Sequence, residues 1–223
     1  MCAIFGSFEP SMFEVLYQAN KSRGNFASSV IAIGHEDTYI QKFEGDIPKS
    51  FEYVDDMVYI TGHVQAPTSC KREWSYETSH PFESISWTIC HNGVITNEQH
   101  LRQTYLPYIQ NPVDSSLIAN LLQLFVENQS VSNDNIDPVN AIKSTLTLLE
   151  GTFALSIIDS DTGELYIARC GSILHYDDKG NFSTIPGKGF KELPEGIIMR
   201  LDKAHIKWVQ VATFETQSPF LFI

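Results

Sequence analysis

The order of periodicities along the chain constrains its fold most. Apolar and β-branched runs, interrupted by one helical segment, fill the first part up to Cys90; helical spacing takes over between Asn97 and Leu149; from Thr152 onward the period returns to strands. Strands, then helices, then strands describes one layered α+β domain better than a βαβ repeat, in which the two kinds of element would alternate. No internal repeat or low-complexity linker divides the 223 residues, so residues 1–223 read as a single domain.

Local signals place the elements. Ala3 to Phe8 is a short apolar run suited to a buried strand and ended by Glu9-Pro10. Ser11-Met12-Phe13-Glu14 reads as a capping box, with Met12, Val15, Leu16 and Ala19 following at helical spacing and a stop near Arg23-Gly24-Asn25. Ser28 to Ile33 and Thr38 to Phe43 read as a strand pair joined by Gly34-His35-Glu36-Asp37, and Val58 to Val64 as a further strand. Lys71 to Ser79 is polar and reads as a loop. Ile85 to Cys90 is strand-like and runs into Asn92-Gly93, a pair suited to a tight turn. Helices are expected from Asn97 to Tyr105, after Asp114-Ser115-Ser116, and from Pro138 to Leu149. Phe153 to Ile158, Leu165 to Ala168, Ile173 to Tyr176, Ile197 to Leu201 and Ile206 to Ala212 read as strands. The closing Pro219-Phe220-Leu221-Phe222-Ile223 is apolar enough to pack on the body or on another subunit.

Composition excludes several classes. With 15 Lys and Arg against 27 Asp and Glu, and a net charge of -12, the chain lacks the basic surface that a nucleic acid needs. No apolar run is long enough to span a bilayer, and no basic segment followed by a long apolar stretch reads as a secretory signal. Cys2, Cys70, Cys90 and Cys170 are widely spaced, without a CxxC pair or finger-like histidines, so no structural metal site and no cofactor is expected. They read as reduced thiols of a cytoplasmic protein.

The chemistry points to the first residues. Once Met1 is trimmed, Cys2 carries a thiol and a free α-amine on one residue. A thiol of pKa about 8.5 is mostly protonated at neutral pH, whereas an α-amine of about 7.7 to 8.0 is partly free base and can act as the thiol's general base. A thiolate attacking an amide needs donors for the developing oxyanion. The Asn92 side-chain amide and the N–H of Gly93 are two adjacent candidates, although a plain turn explains the same pair.

Several stretches, taken in order, resemble the class II glutamine amidotransferases, the N-terminal nucleophile glutaminase domains. Met1-Cys2-Ala3-Ile4-Phe5-Gly6 is similar to that family's Met-Cys-Gly-Ile-Phe-Gly, Arg23-Gly24-Asn25 to its Arg-Gly-x-Asp, and Gly62-His63-Val64-Gln65-Ala66-Pro67-Thr68 to its Gly-His-x-Arg-x-x-Thr. His80-Pro81-Phe82, His91-Asn92-Gly93-Val94-Ile95-Thr96-Asn97, Asp114-Ser115-Ser116 and Leu149-Glu150-Gly151-Thr152-Phe153-Ala154 continue the series. The resemblance implies a four-layer αββα sandwich with Cys2 at the start of a central strand. It implies that Cys2 attacks the glutamine side-chain amide, that Asn92 and Gly93 hold the oxyanion, that Asp114 pairs with the substrate ammonium and that Thr68 and His80 line the pocket. Asp114 serves equally well as an N-cap for the helix that follows.

Gln65 stands where the family has the arginine that clamps the glutamine carboxylate. A charge-assisted bond of about 1.5–3 kcal/mol becomes a neutral one of about 0.5–1.5, so weaker glutamine binding is the direct expectation. Arg72 could restore the charge. A different substrate, a γ-glutamyl compound without a free carboxylate, would not need it. The leading expectation is a stand-alone glutaminase that passes ammonia to a separate acceptor synthase or to solvent. A catalytically silent interaction module with the same fold is the third reading.

Overall fold

The computed structural model describes residues 2–35, 37–53, 56–66, 73–131 and 137–216. In chain order its elements are β1 (Ala3–Ser7), α1 (Pro10–Asn20), β2 (Ala27–Gly34), β3 (Thr38–Glu44), β4 (Met57–Gln65), β5 (Phe82–Glu83), β6 (Trp87–Ile95), α2 (Glu98–Tyr105), α3 (Asp114–Val131) and α4 (Pro138–Leu148). Then follow β7 (Gly151–Asp159), β8 (Leu165–Cys170), β9 (His175–Tyr176), β10 (Phe182–Ser183), β11 (Lys191–Glu192), β12 (Ile197–Asp202) and β13 (Lys207–Thr213). The apolar C-terminal residues from Pro219 lie outside the described residues, as does most of the polar loop between α3 and α4.

The strands form two antiparallel sheets, one in the order β11-β9-β10-β1-β4-β2-β3 and the other β13-β12-β8-β7-β6-β5. Strand alternation sorts their side chains into three apolar layers. Ala3, Phe5, Val30, Ile60 and Val64 face α1 and pack on Phe13, Leu16 and Tyr17. Ile4, Ile31, Ile33 and Tyr59 face the second sheet and meet Ala154, Ile158, Leu165 and Ile167. On the far side of that sheet Ile89, Phe153, Leu155 and Ile157 pack on Leu117, Leu121, Ile142 and Leu146. This is the αββα sandwich that the family resemblance implies. Both faces of the central strands are covered, so they read as continuous apolar runs without the polar alternation of a half-solvated sheet.

Two expectations about α1 are corrected. The helix starts at Pro10, one residue before the expected cap, and the Glu9 carbonyl accepts the first helical bond from the Phe13 N–H at 2.9 Å. Proline's fixed φ favours the first helical position, which leaves Ser11 inside the first turn where it caps nothing. The buried face is Phe13, Leu16, Tyr17 and Asn20, while Val15 is 61% exposed. Phe13 and Tyr17 turn inward because their rings meet Phe5, at centroid distances of 5.2 and 6.2 Å. Asn20 follows because its amide is satisfied there, donating to the Leu16 carbonyl and Ser183 Oγ, both at 2.8 Å.

The expected start of α4 at Pro138 holds. Asp137 caps α4 by accepting the Val139 N–H at 2.9 Å, ahead of Pro138 in the first turn. Asn97 precedes α2 and fixes the end of α4, donating to the Leu148 carbonyl at 2.8 Å and accepting the Glu150 N–H at 3.1 Å. The first sheet's outer strands β9, β10 and β11 are each two residues long, and Ile173, expected in a strand, is exposed beside them.

Candidate active site

Cys2 sits one residue ahead of β1. Ala3 pairs with Val64, so Cys2 stands at the end of the ladder, level with Gln65. Ile4 enters the layer between the sheets, and alternation turns Cys2 to the same side. Arg23, just after α1, donates from Nε to the Cys2 carbonyl at 2.9 Å and so fixes the strand end. Gly24 allows that approach, because a Cβ there would lie 2.3 Å from the Gln65 carbonyl carbon. Burial pushes the Cys2 thiol above its ordinary pKa; a hydrogen bond from the Ala66 backbone opposes this, the Asp114 charge adds to it and Arg23 lowers it. A thiol so placed needs a base to become a nucleophile.

Asn92 and Gly93 do not form a turn. They lie inside β6, which pairs with β7 without a break from Trp87 opposite Asp159 to Ile95 opposite Gly151. The long ladder overrides the local Asn-Gly signal, and Gly93 serves close approach: its φ is 156°, and a Cβ would stand 1.9 Å from the Thr152 carbonyl oxygen. Cys90 packs between the sheets, so Asn92, two residues on, points to the side that β1 covers. Asn92 is 6% exposed, and its side-chain amide hydrogen-bonds no described residue.

Asp114 opens α3. Its Oδ2 accepts the Ile95 N–H at 3.0 Å, and Oδ1 accepts the N–H and Oγ–H of Ser115 at 2.8 and 3.2 Å. An N-cap bonds the N–H two or three residues on, so the capping role expected for Asp114 is replaced by a staple between α3 and β6. Its remaining lone pairs face a cleft of about 650 Å³, lined also by Gly93, Val94, Ile95, Glu73, Ser75 and Thr78. A larger cavity of about 770 Å³ at the other end of β1, around Ser7, Phe8 and Asp177, holds none of the expected site residues.

Gln65 ends β4, is 2% exposed, and accepts the His80 N–H at Oε1 over 3.3 Å. His80 stacks on His63 with ring centroids 4.0 Å apart and lies 6.5 Å from His91. Thr68, Arg72 and Cys70 lie outside the described residues.

Sequence reasoning assigned no role to His63, His91 or Arg23, though all three stand inside the matched stretches. His63 Nε2 lies 3.1 Å from the His91 carbonyl, which requires the proton on Nε2. Burial drags the His63 pKa to about 3, so the ring is neutral. His91 is lowered too, by burial, with the Asp114 charge opposing, and its Nδ1 is 2.8 Å from Ser115 Oγ. Among the described residues no group of three or more His, Cys, Asp and Glu could hold a metal ion.

No protein-family model matches the chain. It is 32% identical over 154 residues to the glutamine--fructose-6-phosphate aminotransferase [isomerizing] of Halalkalibacterium halodurans, covering 66% of this chain and 24% of that protein. The Listeria innocua enzyme of the same name is 35% identical over 140 residues, covering 60% of this chain and 22% of that one. The chain thus spans about a quarter of the length of these curated relatives. Among solved structures, the glutamine phosphoribosylpyrophosphate amidotransferase from B. subtilis superposes with a TM-score of 0.74 at 19% identity, over 95% of this chain and 49% of that one. A predicted glutamine amidotransferase from Pseudomonas aeruginosa gives 0.54 at 12% identity, over 95% of both chains. The structural matches establish the fold. The homologues of the chain are class II glutamine amidotransferases, the N-terminal nucleophile type.

Proposed function

We propose that the chain cleaves the side-chain amide of glutamine. After removal of Met1, the free α-amine takes the Cys2 thiol proton, through a water, and the thiolate attacks the amide carbon. Asn92 Nδ2 and the Gly93 N–H hold the oxyanion, worth about 3–4 kcal/mol per donor. Collapse of the tetrahedral species breaks the C–N bond, and the nitrogen leaves with the transferred proton as ammonia. Water then hydrolyses the thioester to glutamate and frees Cys2. Asp114 pairs with the substrate ammonium, and Gln65, Thr68 and His80 line the pocket. Ammonia passes to a separate acceptor synthase or to solvent. The described helices include none long and apolar enough to cross a membrane.

The observation that carries this reading is Asn92, a buried amide without a described partner on the side of β6 that β1 covers. The test pairs intact-mass analysis with a glutaminase assay. Protein lacking Met1 should release ammonia from glutamine, and Cys2→Ala should release none. A Met1-retaining protein of equal activity would overturn the amine-base mechanism.

Gln65 favours a second reading, a γ-glutamyl amide without a free α-carboxylate, because a neutral carboxamide stands where the family's arginine would meet that carboxylate. Assaying glutamine against γ-glutamyl peptides separates the two. The silent module fails once Cys2 labels faster than Cys90 with a glutamine-derived electrophile.

A further inference from the structure

Across the first sheet, Ile4 pairs with His63, His63 with Ser29, and Ser29 with Lys42, so one transverse row runs from beside the nucleophile to the open edge at β3. Lys42 ends that row, with its side chain only 4% exposed. A buried ammonium needs partners, and these come from outside the sheet. Nζ donates to the Tyr76 carbonyl at 3.1 Å, lies 4.1 Å from the centroid of the Tyr76 ring and is 3.8 Å from Glu83 Oε2 on β5.

Tyr76 belongs to the segment that forms one wall of the Gly93–Asp114 cleft through Glu73, Ser75 and Thr78. On its other flank Asn111 Nδ2 donates to the Glu77 carbonyl at 2.9 Å, and Ser75 Oγ and Thr78 Oγ1 are 2.8 Å apart. The wall is therefore pinned at both flanks, and Lys42 is the only charged pin among these bonds. We propose that Lys42 is a positioning residue: it fastens residues 73–79 to the edge of the sandwich and thereby sets the substrate-binding wall of the cleft. It touches no reacting atom, so its loss weakens binding of ground state and transition state alike.

The kinetic half of the test rests on the amide-cleaving reading; the exchange half does not. Lys42→Met keeps the stem and removes the ammonium, and Lys42→Arg keeps the charge. In the full chain Lys42→Met should raise the glutamine KM about tenfold while kcat stays within about twofold, and Lys42→Arg should recover most of the loss. Hydrogen exchange of the unliganded protein should speed up about tenfold at the amides of 76–80 in Lys42→Met and remain near wild type in Lys42→Arg. Tyr76→Leu, which removes the ring and keeps the carbonyl, should give a smaller KM increase and decides the matter if Lys42→Met does not fold. Unchanged KM and unchanged exchange in a folded Lys42→Met, or a fall in kcat alone, would overturn the proposal. A wild-type chain that turns over no glutamine defeats the reaction reading alone, and the exchange rates then decide the tether.

Discussion

The Asn92 amide and the Gly93 Cα stand side by side yet differ in what their substitution reports. The Asn92 side-chain amide makes no hydrogen bond to a described residue, and its backbone stays in the β6–β7 ladder, so Asn92→Ala removes an oxyanion donor and little of the resting structure. Activity should fall by about a hundred- to a thousand-fold in kcat while the melting temperature moves by only a few degrees. Gly93→Ala would instead force a Cβ to within 1.9 Å of the Thr152 carbonyl, so it should destabilise the fold by at least ~2 kcal/mol and report on packing. An active Asn92→Ala variant would remove the observation on which the proposed function rests. The candidates stood out by type and order: the Cys2 thiol, the Asn92 amide, the Gly93 N–H and the Asp114 carboxylate. Their conformation did not. An Asn-Gly pair is a turn by local preference, and only the β7 partner, far along the chain, makes it strand. Asp114 likewise looks like a cap until the Ile95 N–H it accepts is known.

Among elements, β4 and β6 meet through a hydrogen bond that crosses between the sheets, from His63 Nε2 to the His91 carbonyl. Burial depresses both histidines, His63 to about 3. A histidine unfolds to a pKa near 6.5, so in acid the unfolded chain binds protons that the folded chain refuses. The stability is fully present above about pH 6.5 and is lost as pH falls toward 3, at roughly 1.4 kcal/mol per pH unit for His63 alone while no other group compensates. Urea titrations at pH 7 and pH 5 should differ by about 2 kcal/mol from this residue, and His63→Gln should shrink the difference by a similar amount. An equal difference in the variant would assign the acid sensitivity elsewhere. Element boundaries show the same division between local and remote causes. The start of α4 was legible from Pro138, because a proline acts on its own turn, whereas the Asp137 cap was not singled out. The start and face of α1 were misread, because Phe13, Tyr17 and Asn20 are drawn inward by Phe5 and Ser183, which helical spacing does not see.

For the whole molecule, the block order of strands, then helices, then strands was enough for an α+β class, and the family resemblance of the ordered motifs implied the αββα layering. The sheet orders were not legible, since β1 lies between β10 and β4, strands from opposite ends of the chain, and two-residue strands carry no periodicity. The layering has a measurable consequence for the thiols. Cys90 lies between the sheets and Cys170 in the layer under the helices, both buried, whereas Cys2 at the strand end is half-buried. Burial pushes the Cys90 thiol up to about 12, and Cys170 is raised by burial as well. Alkylation requires an accessible thiolate. Among the three described cysteines, iodoacetamide in native buffer should therefore modify Cys2 first, with glutamine slowing that reaction. Cys90 and Cys170 should react only as fast as the molecule opens globally, since each is enclosed by strands of the central layers. Peptide mapping over a labelling time course gives the three rates. Raising urea within the native baseline should accelerate Cys90 and Cys170 together, because one cooperative unfolding exposes both. Independent acceleration of the two would mean that the layers open separately, and a Cys90 as fast as Cys2 would contradict the closed sandwich itself.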